Sequence, residues 1–523
     1  MVLRASYRIL TLATSLFILS YFGSASELHA DSGNDADAPF AEGSDIISIA
    51  SPFRTLTLDP IKSVFTGSIE TFGQLYSRLL RRDESGELKP GLAERWEISD
   101  DGTEYTFYLR DAKFSDGSAI TADDVAFSLL RMRDDPEAAY SAAVSNLVSA
   151  QALDKTTVRI TLIEPNAPFL DAMEICFLGI VSKADVERRG ADKAFAGDPV
   201  TSGPYRVKQW KPNDRIVLEA NPHYWRKGYP RNDGADLIEV MDENTRIAML
   251  LAGEVDAVRA IPWSQVATLK ASGLVHIPYE PAILIWVVLL NHDRPPFSDL
   301  RVRQAAALAL DRELMAHVVT RGIAKVANTI LPEYVNYHDS SYEGWPHDMD
   351  RARELIEEAG AGGREVVINI AAPDATSEQM ALIFQAQWAQ IGLHTRIVKM
   401  DQALDEQRLQ DGDYDASINW WYNEGFDPDL AVKWAVCGTC GNRSYYTNYQ
   451  NDEVDRLTAE AARTMDPEQR RNIYHRIQEI STTEVSQIPL FYPPWQNAYS
   501  KSIEGLLLTP ATQWTLENAR HLR

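Results

Sequence analysis

The stretch Asn419–Asp429, NWWYNEGFDPD, gathers side chains well suited to chemistry: adjacent Trp420 and Trp421, then Glu424, Asp427 and Asp429. Gly425 and Pro428 break any helix between them, which puts the carboxylates on a loop. Large aromatic rings are costly to leave in water, and carboxylates are costly to bury unpaired. Three uses fit these residue types: an acid pair acting on a glycosidic bond, a ligand-binding cleft, or a loop packed on a core. The acid pair needs two carboxyl groups facing each other across a bond, roughly 5 to 10 Å apart. Neighbours on one short loop usually point apart, which disfavours a secreted glycoside hydrolase. Cys437 and Cys440, in VCGTCGN, form a second constellation. A C-x-x-C pair serves as a redox centre, half of a zinc site or a small disulfide. Zinc would need further ligands, but the chain has no second C-x-x-C and no H-x-x-x-H, and a redox pair would open a helix after a strand. A local disulfide pinning a loop is the expectation, and Cys176 in EICFLGIV reads as a buried thiol.

Other catalytic signatures are missing. The sequence holds no G-x-S-x-G elbow, no G-x-x-x-x-G-K-[ST] phosphate loop, no H-E-x-x-H and no G-x-G-x-x-G after a strand. GAGGRE, from Gly360 to Glu365, follows a helix and reads as a helix stop and turn. The ten histidines are scattered, none at metal spacing from another. No catalytic residue, metal or cofactor is expected.

The elements that must position these residues alternate between strand and helix from Ser44 onward. EYTFYLR, from Glu104 to Arg110, sets Tyr105, Phe107 and Leu109 on one face and is a strand. TADDVAFSLLRMR opens with Thr121 three residues before Asp124, the pattern of a capped helix start. TTVRITLIE and VVINIA read as strands, and AILIWVVLL, from Ala282 to Leu290, as a buried one, too short to span a membrane. DLRVRQAAALALDRELMAHVV reads as a helix behind a Ser298 cap. DRARELIEEAG and EQMALIFQAQWAQIG are helices stopped by Gly360 and Gly392, and DPEQRRNIYHRIQEISTTEV is a late amphipathic helix. The class is mixed α/β, and 523 residues imply several domains. Acidic residues outnumber basic ones 75 to 51, a formal charge of −24 that argues against nucleic acid as a partner.

The N-terminus carries an address. Arg4 and Arg8 precede an apolar run from Ile9 to Phe22, and small residues follow, so residues 1–30 read as a signal peptide cleaved after Ala25 or Ala30. The run has about 14 residues where a membrane span needs roughly 20. No cysteine follows it to carry a lipid, which makes the periplasm the expected destination.

Several segments, in order, resemble the extracytoplasmic solute-binding proteins of peptide-type ABC importers, family 5, which includes oligopeptide-, dipeptide- and nickel-binding proteins. They are LKPGLAERWEISDDGTEYTFYLRDAKFSDGSAITADDVAFSLLR (from Leu88 to Arg131), SGPYRV (from Ser202), EANPHYW (from Glu219), LLAGEVDAV (from Leu250), LLNHDRPPFSDLRVRQAAALALDR (from Leu289) and QIPLFYP (from Gln487). The resemblance implies a two-lobed clamp of the class II periplasmic-binding type with an inserted extra domain. Lobe I would comprise about residues 45–75, 199–284 and 490–523, the extra domain 76–198, and lobe II 285–489, with the crossovers as hinge. It implies a peptide or peptide-like solute, an ABC permease with separate ATPase subunits, and no enzymatic activity; a monomer is expected. In peptide-binding members, a loop aspartate four residues before a proline grips the peptide's α-ammonium group. Counting back from Pro428 gives Glu424, one methylene longer, and such a contact is worth about 1.5–3 kcal/mol. Asn419-Trp420-Trp421 replaces the usual Gly-Trp, and Ser417 and Ile418 stand where an arginine often holds the ligand's carboxylate. An oligosaccharide, an opine or another non-peptide solute is therefore the alternative. As adjacent residues in an extended segment, Trp420 and Trp421 face opposite ways. In the turn, Asp427 is expected to bond its own backbone. Gly203 and Tyr205 of SGPY and Asn291, with Glu424, Trp420 and Trp421, complete the expected ligand-binding set.

Overall fold

Apolar alternation first builds a seven-stranded sheet. The strand Ile46–Ser51 buries Ile47, Ile49 and Ala50 and pairs in parallel with Gly234–Glu239 on one side and Ala257–Arg259 on the other. Arg215–Ala220 and Tyr205–Lys211 extend one edge, and Asn497–Ser500 and Val275–His276 the other, all antiparallel to their neighbours. The computed structural model describes residues 40, 43–83, 86–372, 374–423, 425–440 and 446–522. The expected signal peptide (residues 1–30) and Glu424 lie outside them. Among the described residues, no helix is long and apolar enough to cross a membrane.

A second sheet of six strands runs in the order Lys325–Val326, Ile488–Tyr492, Leu284–Leu290, Ala416–Tyr422, Glu365–Ala371 and His394–Met400. Leu284–Leu290 lies in its interior, and its apolar run is explained by burial on both faces. Val288 and Leu290 join one core cluster, and Ile285, Val287 and Leu289 join another. Leu284 and residues 490–492, expected in the first lobe, instead hydrogen-bond into this sheet. The chain therefore crosses between the two sheets after His276 and again after Tyr492.

The segment expected as an extra domain contributes a four-stranded antiparallel sheet, Ala93–Ile98, Glu104–Leu109, Thr157–Leu162 and Leu147–Ala152. Tyr105, Phe107 and Leu109 are buried, as their alternation requires. Its core is continuous with that of the seven-stranded sheet: Phe107, Val158 and Ile160 share one cluster with Ile47, Ile49 and Trp514. The helix Ala122–Asp134 starts at a capping box in which Asp124 Oδ2 accepts the Thr121 backbone N–H at 2.9 Å. The expected Ser298 cap is corrected to Asp299, whose carboxylate accepts the Arg301 N–H at 2.9 Å. That helix also ends early, at Leu308, because Asp311 caps a second one, Arg312–Thr320.

Candidate functional site

In both sheets the parallel strands point their C-terminal ends toward the space between them, the usual place for a ligand in open α/β sheets. Ile46–Ser51 leads to Phe53, Ala257–Arg259 to Trp263, Glu365–Ala371 to Asp374, and Ala416–Tyr422 into the NWWYNEGFDPD loop. A cavity of about 360 Å³ lies there, lined by Phe53, Arg259, Trp263 and Trp495 from the first lobe and by Trp286, Arg321, Asp374 and Trp420 from the second.

The second lobe supplies an aromatic wall. Trp286 lies directly opposite Trp420 in the antiparallel ladder, on one face of the sheet. Trp286 meets Phe491 at 6.0 Å between ring centroids, and Trp420 stacks with Tyr422 at 6.2 Å. Trp420 is 38% exposed, whereas Trp421, on the opposite face, is only 3% exposed. The Trp421 indole donates to Gln487 Oε1 at 3.2 Å and packs edge-on against Trp434. Trp420 thus faces the cleft, and Trp421 is a core residue.

The first lobe contributes charge. Arg259 is only 2% exposed; its Nε donates to Glu70 Oε1 at 2.7 Å, and its guanidinium lies 4.7 Å from the Trp495 ring and 5.3 Å from that of Phe53. Trp514 donates to the other Glu70 oxygen at 3.1 Å. Arg259 Nη2 has no hydrogen-bond partner among the described residues, leaving donor capacity at the cleft wall.

Two of the three carboxylates that first suggested catalysis, Asp427 and Asp429, have structural partners. Asp427 forms a buried bidentate pair with Arg470, 2.8 Å from Oδ1 to Nη2, and its Oδ1 also accepts the Asp429 N–H at 2.9 Å, the expected turn bond. Asp429 is paired with Lys433 at 2.8 Å, although burial pushes its carboxyl above the usual range. Asn423 clips the loop, its Nδ2 donating to the Gly425 and Asp427 carbonyls at 2.8 and 2.7 Å.

Three further expectations are corrected in their geometry. Tyr205 is fully buried, its hydroxyl 2.9 Å from Asn232 Oδ1 and 3.1 Å from the Leu516 carbonyl. Gly203 is needed for packing: a Cβ there would lie 2.6 Å from the Gln74 carbonyl oxygen. Asn291 is buried and donates to the Gly412 and Tyr414 carbonyls at 3.0 and 3.1 Å. All three hold the fold instead of lining the cleft. The residues missed were Phe53, Arg259, Trp286 and Trp495. Trp286, inside AILIWVVLL, was the one large amphipathic ring in an apolar strand, and Trp495 follows a Pro-Pro pair in a crossover. Cys437 and Cys440 are joined by a disulfide, and Cys176 is buried.

Residues 87–442 match the profile of the bacterial extracellular solute-binding proteins, family 5, middle region. The glutathione-binding protein GsiB of Escherichia coli K12 is 29% identical over 495 residues, covering 92% of this chain and 96% of that protein. Among solved structures, the dipeptide-binding protein of Pseudoalteromonas sp. SM9913 in complex with Met-Leu superposes with a TM-score of 0.80 at 25% identity, covering 91% of this chain and all of that one. HbpA2 from Haemophilus parasuis gives 0.79 at 26% identity, with the same coverage.

Proposed function

This chain belongs to the bacterial extracellular solute-binding proteins of family 5, and from that premise we propose that its interlobe cleft captures a peptide or peptide-like solute and presents it to an ABC permease. The observation that carries this reading is the cleft's chemistry. Aromatic rings line both walls, Arg259 offers an unpaired donor on one side, and Asp374 offers a carboxylate on the other. A short peptide carries complementary groups: an ammonium, a carboxylate and apolar side chains. The kinship with glutathione- and dipeptide-binding proteins points the same way. Glu424 is assigned to the solute's ammonium group, with Trp420 against its side chains. The protein is proposed to act as a monomer in the periplasm, exported by residues 1–30, with ATP hydrolysed by separate subunits and no chemistry done on the solute.

Mass spectrometry of solute released from the purified protein, followed by calorimetry, tests this. Short peptides should be recovered, and Glu424→Gln should weaken them about tenfold or more, the scale of a charge-assisted hydrogen bond. The ladder pairing of Trp286 with Trp420 favours an opine or oligosaccharide as a second reading, since sugar faces stack on such rings. A saccharide whose affinity ignores Glu424→Gln but collapses in Trp420→Ala would replace the peptide. Turnover of any bound compound would overturn the non-enzymatic role.

A further inference from the structure

We propose that a second pocket, behind Trp420 and walled by Trp434, Tyr446 and Asp405, is a subsite for a cationic group on the solute: a lysine or arginine side chain, or another alkylammonium. The inference rests on the interlobe cleft being the solute site, because Trp420 and Asp374 line both cavities.

The pocket has a volume of about 220 Å³, enough for an extended alkylammonium chain. Its carboxylates come from two elements. Asp405 and Glu406 stand on the helix Gln402–Asp411, and Asp374 caps the helix Ala375–Ala389. Asp374 is engaged by its own helix, accepting from the Thr376 N–H at 3.0 Å and from the Ser377 hydroxyl. Asp405 is different. It is only 5% exposed, and its Oδ1 has no hydrogen-bond partner among the described residues. A buried carboxylate oxygen without a donor is rare, because the desolvation cost goes uncompensated. Among the described residues, none of Asp374, Asp405 and Glu406 makes an ion pair, and Arg408, the cation next on the same helix, lies 4.0 Å from Asp413 instead. Burial pushes the Asp405 carboxyl up to about 6, Glu406 adds to the rise, and Arg408 opposes it. Among the described residues, the remaining lining is uncharged and includes Trp420, Trp434, Tyr446 and Asn419. Carboxylates that ion-pair with none of the described residues, beside three aromatic rings, make an environment that a desolvated ammonium or guanidinium group satisfies by charge and by cation–π contact.

The test compares Ala-Lys with Ala-norleucine, which keeps the side-chain carbons and lacks the ammonium, by calorimetry at pH 7.5 and pH 5.0. The lysyl peptide should bind about tenfold tighter at pH 7.5, the scale of one charge-assisted contact. That preference should shrink at pH 5.0 and disappear in Asp405→Asn. The wild-type pH dependence keeps the test decisive if the variant does not fold. Equal affinities for the two peptides in the wild type would overturn the subsite while leaving the cleft reading in place. If neither peptide binds, the released solute decides the cleft reading separately, and butylammonium alone, followed by tryptophan fluorescence, decides the pocket. A saturable change lost in Asp405→Asn sustains it, and no change overturns it.

Discussion

Arg259 and Glu70 form a nearly dry ion pair beneath the cleft, and the energetics of such pairs are asymmetric. Replacing both partners by apolar groups can be neutral, but removing one strands the other's charge away from water. Glu70→Gln should therefore cost about 3–5 kcal/mol in urea unfolding, whereas Glu70→Gln combined with Arg259→Met should recover much of that loss. If the single and double variants were equally unstable, the pair would not be the reason. Asp405 carries the opposite liability. Its folded pKa, about 6, lies above the ordinary carboxylate value of 3.8. Its contribution to stability is thus fully present below pH 3.8 and is lost as pH rises toward and through 6. Asp405→Asn should stabilise the ligand-free protein at pH 7.5, by about 1 kcal/mol after solvent screening, and change little at pH 4. Neither residue stood out in the sequence. Arg259 ends a three-residue strand, and Asp405 sits in QALDEQRLQD, which has the composition of a solvated helix. The burial of Arg259 comes with a partner far along the chain, Glu70, and Asp405 lines a pocket with Asp374 and Tyr446, which are also distant in sequence.

At the scale of elements, local rules read well and long-range ones did not. The opposite facing of Trp420 and Trp421 follows from strand pleat alone, and the Thr121 capping box from four adjacent residues. The roles of Tyr205 and Asn291 could not be read the same way, because their partners, Asn232, Leu516, Gly412 and Tyr414, become neighbours only when the sheets assemble. The Cys437–Cys440 disulfide is a local device. It follows the helix Asp429–Ala435, directly after the clipped loop, and encloses only two residues. Closing so short a loop restrains the unfolded chain by about 2 kcal/mol in the chain-entropy picture. Cys437→Ser with Cys440→Ser should lower stability by that amount while leaving solute affinity within about twofold, since neither cysteine lines the cleft. A loss of affinity far beyond twofold would mean that the disulfide positions the Asn419–Asp429 loop.

At the scale of the whole molecule, the clamp depends on how its two sheets are joined. The crossovers after His276 and after Tyr492 run side by side, and the Trp495 N–H donates to the Glu280 carbonyl at 2.9 Å. The Glu280 side chain, buried and with its pKa raised by burial, ties this junction to the first lobe. It accepts from Asn497 Nδ2 at 2.7 Å, from the Leu508 N–H at 2.8 Å and from the Tyr499 hydroxyl. If these crossovers act as the hinge, such anchoring should confine motion to the few residues between it and the second sheet, from Pro281 to Ile283 and from Pro493 to Pro494. A solute touching both walls then stabilises the closed state by its differential contacts. Adding a solute at one hundred times its dissociation constant should raise unfolding free energy by about 2.7 kcal/mol and reduce the radius of gyration in X-ray scattering. Glu280→Ala leaves three donors unsatisfied and should weaken binding, because a loosened hinge lowers the fraction of molecules in the closed, binding-competent state. Compaction should persist at saturating solute, since enough ligand still draws the population closed. A solute that stabilised the protein without compacting either form would bind outside the cleft, and the closure mechanism would fall.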